Sequence, residues 1–235
     1  MFPFTAQIPI SAHLDVHYQI VLDKIGPLLT EARRQKIKQV ISGRNFSNAV
    51  VLESIYDRGN ISAVMRSAEG MGFANIHVIE TQEKFKESAR VTQGADKWVE
   101  VQKWKSTTEA IKNLKAQGHR IIVTHLEAAK PLHEIDFSTP TALVLGNEKD
   151  GVSAEMIAAA DERVIIPMSG FVQSFNISVA GALCFYQISQ DLLRRKQQVG
   201  DLSEEQKKIL EAYYYLRTQD SAEKYLVEMF QRGQV

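Results

Sequence analysis

The chain has 235 residues, 44% of them hydrophobic, with 28 basic and 28 acidic side chains and a formal net charge of zero. That length and apolar content suit one main domain with a full core, and the balanced charge confines any polyanion binding to local patches. Cys184 is the single cysteine, so an intramolecular disulfide is excluded, and no apolar run approaches the roughly 20 residues of a membrane helix.

The opening MFPFTAQIPIS lacks the basic start and continuous apolar core of a signal peptide, which together with the lone cysteine points to the cytoplasm. Residues 1–45 read as a helical extension ending in a basic stretch, EARRQKIKQVISGR. Ile37, Val40 and Ile41 recur there at helical spacing, and Arg33, Arg34, Lys36, Lys38 and Arg44 form a basic patch beside them. AVVLES (49–54) is a candidate buried strand. After the loop YDRG, a helix is expected to open with Asn60 as N-cap, its apolar face carried by Ile61, Val64, Met65, Ala68 and Met71 and with Arg66 off that face.

Further strands are expected at NIHVIE (75–80), WVEVQKW (98–104), HRIIVTHL (119–126), TALVLG (141–146) and RVIIP (163–167). Between them fall a helix capped by Ser106 and Glu109 and closed by Gly118, and a helix over SAEMIAAAD (153–161). A long helix follows from Asn176 towards Gln198, with Cys184 as a small buried hydrophobe, and a helical tail begins at the Ser203–Gln206 capping box. Tyr213, Tyr214 and Tyr215 in that tail read as packing residues. Continuous apolar strands alternating with helices predict an α/β fold with a mostly parallel sheet flanked by helices over 46–198, and N- and C-terminal helical extensions over 1–45 and 199–235.

Several chemistries are disfavoured. The chain has no G-x-G-x-x-G, no Walker sequence and no G-x-S-x-G elbow. Its six histidines lack metal-ligand spacing, so no metal is expected. Three polar clusters remain at strand-to-helix junctions: Asn60 to Arg66, Gly146-Asn147-Glu148 to Gly151, and Gln173-Ser174-Phe175-Asn176. Each alone reads equally well as caps and turns or as a ligand site, and the carboxyl ends of strands are where open α/β sheets bind ligands.

NISAVMRSAEGMGF, LVLGNEKDGVS and VIIPMSGFVQSFNISVAGALCFYQI resemble, in order and spacing, the three successive motifs of the SpoU/TrmH family of SPOUT RNA 2'-O-ribose methyltransferases. The resemblance implies methyl transfer from S-adenosylmethionine to a ribose in RNA, and a deep trefoil knot at about 141–190, an exception to the rule that chains do not thread their own loops. By the same resemblance Arg66 is catalytic, with Asn60, Glu148, Ser174 and Asn176 around it. The resemblance also implies that the methyl donor lies against Thr124, His125, Leu126, Gly146, Ile166, Met168, Ser174 and Phe175. RRQKIKQV, GADKWVEV, THLEAAKPLHEIDF and LSEEQKKILEAYYYLRT extend the similarity towards the members that act on guanosine 18 in the tRNA D-loop. Another tRNA nucleotide or ribosomal RNA is the alternative substrate, and an RNA-binding module without catalysis is the non-enzyme alternative. The basic patch would hold tRNA phosphates, and homodimerisation would use the apolar helix SVAGALCFYQI.

Overall fold

The computed structural model describes residues 1–80, 94–127, 129–219 and 221–233. Its contacts divide the chain into two compact units, one of Met1 with Asn45–Val199 and one of Phe2–Arg44 with Gly200–Val235. Ala128, within the THLEAAKPLHEIDF segment, lies outside the described residues.

The larger unit is built on a sheet of seven described strands: β3 (Asn45–Glu53), β4 (Phe73–Ile79), β5 (Glu100–Trp104), β6 (Arg120–Thr124), β7 (Lys130–Pro131), β8 (Thr141–Leu145) and β9 (Glu162–Ile165). Their order is β5-β4-β3-β8-β6-β9-β7, and every pairing is parallel. The later strands insert between earlier ones: β8 lies between β3 and β6, and β9 between β6 and β7.

Side chains alternate along each central strand and feed two cores. Val50 and Leu52 of β3, Ile122 of β6, and Leu143 and Leu145 of β8 face a cluster closed by two helices. Those helices are α3 (Arg58–Gly70), through Ile61, Val64, Met65 and Ala68, and α6 (Ile177–Lys196), through Cys184, Phe185, Ile188 and Leu192. Ala49 and Val51, Ile121 and Val123, and Ala142 and Val144 face the opposite cluster, closed by α4 (Thr107–Ala116) and α5 (Ala154–Ala159). Burial on both faces explains why these strands are apolar throughout instead of alternating with polar residues.

The smaller unit is helical over its C-terminal part, as expected, but its N-terminal part departs from the helical extension expected over 1–45. Gln7–Ser11 (β1) and Leu14–His17 (β2) form an antiparallel hairpin before α1 (Tyr18–Ile25) and α2 (Glu31–Ser42). A period-two signal is present, because Ile8 and Ile10 are buried between exposed neighbours, although Pro9 within the run weakens it. Together with α7 (Glu204–Thr218) and α8 (Ala222–Gln231), these elements gather both ends of the chain into one unit. Tyr214 and Tyr215 are buried there, and Tyr213 packs its ring 4.4 Å from that of Phe4. The Ser203–Gln206 capping box forms as expected.

Candidate active site

Parallel pairing brings the carboxyl ends of β3, β8, β6 and β9 to one edge of the sheet, and the three polar stretches leave from that edge. The β3–α3 connection starts with a reversal at Ser54, whose φ of 53° is a left-handed value that non-glycine residues seldom adopt. Asp57, not Asn60, caps α3: its carboxylate accepts from the Gly59 amide at 2.7 Å, and the helix begins at Arg58. The expected cap at Asn60 is therefore corrected. Asn60 sits inside the first turn, and its side chain is released for other contacts.

Those contacts join the clusters. Asn60 Nδ2 donates to Glu148 Oε1, and Asn60 Oδ1 accepts from Asn176 Nδ2 at 3.2 Å. Asn176 Oδ1 in turn accepts from the Ser178 amide at 2.9 Å, which caps α6 as the sequence suggested. Glu148, Asn60 and Asn176 are thus one hydrogen-bonded chain across three connections. The Asn60 amide spends its donor on the carboxylate and its acceptor on Asn176, which fixes its orientation. A second cross-link runs beside the first, from Tyr56 Oη to Asp150 Oδ2 at 3.2 Å.

The β8 turn is rigid for its own reasons. Asn147 and Gly151 exchange backbone hydrogen bonds, and Asn147 Oδ1 accepts from the amides of Lys149 and Asp150. A Cβ at Gly146 would lie 2.2 Å from the Gly151 carbonyl carbon, so no larger residue fits. Beneath this turn lies Glu53, which sequence reasoning passed over. It is buried at the end of β3 and accepts from Thr107 Oγ1, the Ser153 amide and Ser153 Oγ at 2.7 to 2.9 Å. A carboxylate closing an otherwise apolar strand was the available signal, since buried acids need partners.

Arg66 and Ser174 are not drawn into the chain of hydrogen bonds. Arg66 is exposed six residues beyond Asn60, about 9 Å further along α3, and its side chain makes no hydrogen bond or ion pair among the described residues. Ser174 is also exposed, one turn of loop before Asn176. Thr124 Oγ1 donates to the Val144 carbonyl, and His125 Nδ1 accepts from the Glu127 amide at 3.0 Å. Ile166 and Met168 are half-buried. Leu126, Phe171, Val172 and Phe175 leave apolar surface open on the loops after β6 and β9. Among the described residues no group of three or more His, Cys, Asp or Glu is placed to hold a metal, and no helix is long and apolar enough to cross a membrane.

The basic stretch of α2 is only partly a surface patch. Arg33, Lys36 and Lys38 are exposed, whereas Arg34 pairs with Glu31 at 2.5 Å and donates to the Gly26 carbonyl. Arg44 is a correction. It is 1% exposed, donates from Nε to Tyr214 Oη at 3.0 Å and lies 5.8 Å from that ring's centre, so it belongs to the core of its unit.

Residues 47–186 match the SpoU rRNA methylase family, a span that contains all three polar stretches. The chain belongs to that family. As a SpoU methylase it is an RNA methyltransferase whose methyl donor is S-adenosylmethionine. It is 34% identical over 173 residues to the Escherichia coli protein named tRNA (guanosine(18)-2'-O)-methyltransferase, covering 73% of this chain and 74% of the relative. The protein of that name from Borreliella burgdorferi is 36% identical over 201 residues, or 83% and 91% of the two chains. Among solved structures, the Aquifex aeolicus TrmH/SpoU tRNA modifying enzyme superposes with a TM-score of 0.71 at 30% identity, over 79% of this chain and 96% of its own. The AdoMet-bound rRNA methyltransferase from Sinorhizobium meliloti superposes with a TM-score of 0.59 at 26% identity, over 67% and 60%.

Proposed function

We propose that this SpoU methylase transfers a methyl group to the 2'-hydroxyl of guanosine 18 in the tRNA D-loop. The observation that carries the reading is the Glu148–Asn60–Asn176 chain, which ties the three family motifs into one site at the carboxyl edge of the sheet. The choice of nucleotide is supported by relatives of that name whose similarity spans nine tenths of the Borreliella chain. The likeness to the TrmH/SpoU structure and the insertion of β8 and β9 between earlier strands support a trefoil knot at about 141–190. We take 46–198 as the methyltransferase domain, with 1–45 and 199–235 as its extensions.

The residues fit the methyl donor. Exposed apolar side chains after β6 and β9 suit the faces of a purine, and the loops carrying Thr124, His125, Leu126, Gly146, Ile166, Met168, Ser174 and Phe175 would hold it. When bound, S-adenosylmethionine supplies an already activated sulfonium methyl. The chain's own task is to place a ribose hydroxyl in line and to stabilise the negative charge developing on its oxygen. A guanidinium is a poor general base, so the role that fits Arg66 is a cation that meets the ribose and its phosphate when the RNA is bound. The carboxylate of Glu148 and the amides of Asn60 and Asn176 hold the rim of the site in one geometry, and Ser174 offers a hydroxyl beside it. Arg33, Lys36 and Lys38 contact tRNA phosphates, which makes binding fall with salt.

Val179, Leu183, Tyr186 and Leu193 form an exposed apolar stripe on α6, which supports a homodimer packed through that helix. The single cysteine, buried as a thiol that desolvation pushes up to about 12, is in keeping with a reducing cytoplasm. The test is incubation of the protein with labelled S-adenosylmethionine and unmodified tRNA or ribosomal RNA, followed by nucleoside mapping. Label at guanosine 18 is expected. Label confined to ribosomal RNA or to another tRNA nucleotide overturns the substrate, and tight RNA binding without label makes the chain a non-catalytic module.

A further inference from the structure

The second cross-link of the site, Tyr56 to Asp150, has no part in the chemistry above. Tyr56 is 46% exposed although its hydroxyl is engaged. The ring stands one residue before the α3 cap, and Asp150 two residues beyond Glu148, so the two cross-links join the same pair of connections side by side. The reversal at Ser54 and the Asn147 turn fix the backbone on either side.

Stability does not account for this arrangement. A solvent-exposed hydroxyl–carboxylate bond contributes little to folding, because both groups are hydrated equally well when apart. Its physical effect is to hold an uncovered aromatic face in one orientation at the rim of the site. Arg58, next to the cap Asp57, and Lys149, next to Asp150, are exposed and form no ion pair among the described residues. Asp150 raises the phenol above its ordinary pKa by accepting its hydrogen bond and by its charge, so the ring stays neutral at physiological pH.

A fixed, exposed aromatic ring on a connection that also carries exposed cations suits unstacked bases of single-stranded RNA, the ring stacking on the base and the cations meeting phosphates. We propose that Tyr56 is the stacking platform for the base of the nucleotide whose ribose is methylated, with Arg58 and Lys149 on the adjoining phosphates. This inference rests on the RNA methylase reading and adds to it a residue that positions the substrate. Asp150 serves as a positioning residue that acts through Tyr56.

The experiment compares Y56L, which removes the ring, with Y56F, which keeps the ring and removes the cross-link. Wild-type protein, with S-adenosylmethionine present, is titrated into a tRNA transcript carrying 2-aminopurine at the target position, whose fluorescence is quenched by stacking. Y56L is expected to abolish most of the quenching and to raise KM for tRNA at least about tenfold, while Y56F loses no more than about threefold. Affinity for S-adenosylmethionine alone and the mass in light scattering are expected to match wild type in both. Equal quenching by wild type and Y56L, or equal losses in Y56L and Y56F, overturns the platform, as does a change of oligomeric state in Y56L. Failure of the wild-type protein to methylate tRNA would count against the proposed function instead, because the fluorescence comparison reads binding alone.

Discussion

At the scale of single residues the site divides into side chains that are held and side chains that are free. Asn60 is held on both sides, by Glu148 and by Asn176, while Arg66 and Ser174 reach solvent. A free guanidinium can close on a ribose-phosphate only when the RNA arrives, so its planar fork matters as much as its charge. Arg66→Lys is therefore expected to lower kcat at least about a hundredfold at every pH tested, and Arg66→Ala no less. Near-normal turnover in Arg66→Ala, measured with labelled donor, would remove the residue from the reaction. Gly146 makes a second case. An added methyl would lie 2.2 Å from the backbone of Gly151, so Gly146→Ala is expected to cost about 2 to 4 kcal/mol or to displace the turn. Calorimetry with S-adenosylmethionine would then show binding weakened more than tenfold, and unchanged stability and binding together would refute the steric argument.

At the scale of elements, α6 carries two functions on two faces. Ile177, Cys184, Phe185, Ile188 and Leu192 fill the core beneath the sheet, and the N-cap Asn176 ends the hydrogen-bonded chain of the site. Opposite them, Val179, Leu183, Tyr186 and Leu193 fall at spacings of four, three and seven, a stripe along one side of the helix. If that stripe joins two copies, replacing Leu183 and Tyr186 by lysine halves the mass seen in light scattering and lowers methylation, because the site sits at the head of the same helix. An unchanged dimer, or a wild-type monomer, would rule the stripe out as the interface.

At the scale of the whole molecule, acid stability of the sheet unit should follow two buried histidines. Desolvation first, and then repulsion from His119, lowers His77 to about 3, and Trp104 Nε1 donates to its Nδ1 at 3.0 Å, which requires the neutral ring. Desolvation likewise lowers His119 to about 4. The unfolded chain takes up these protons near pH 6.5 and the folded chain only near 3 to 4, so between those values the unfolded state binds more protons. Their contribution is fully present above pH 6.5 and is lost progressively as pH falls towards 4, by about a few kcal/mol in all. Both tryptophans, Trp98 and Trp104, lie in this unit, so urea midpoints read by their fluorescence report on it. A lower midpoint at pH 5 than at pH 7.5 is expected, with a shallower pH dependence in His77→Gln. A midpoint independent of pH would show that folding lowers the pKa of neither imidazole.

The sequence by itself determined six strands of the sheet, most of the helices and the three motif stretches, because apolar runs, caps such as Ser203 and motif spacing are local properties of the chain; it missed the short strands β1, β2 and β7. It did not place the start of α3, since Asp57 and Asn60 are both good caps and only the path of the chain after Ser54 chooses between them. Nor did it separate Arg44 from Arg33: the two look alike in a basic run, and a tyrosine 170 residues away decides which one is buried. The order of the strands, the hydrogen bonds from Asn60 to Glu148 and Asn176, and the buried role of Glu53 belong to the tertiary structure alone. Each depends on contacts between segments far apart in the chain, and only the parallel sheet brings those segments to one edge.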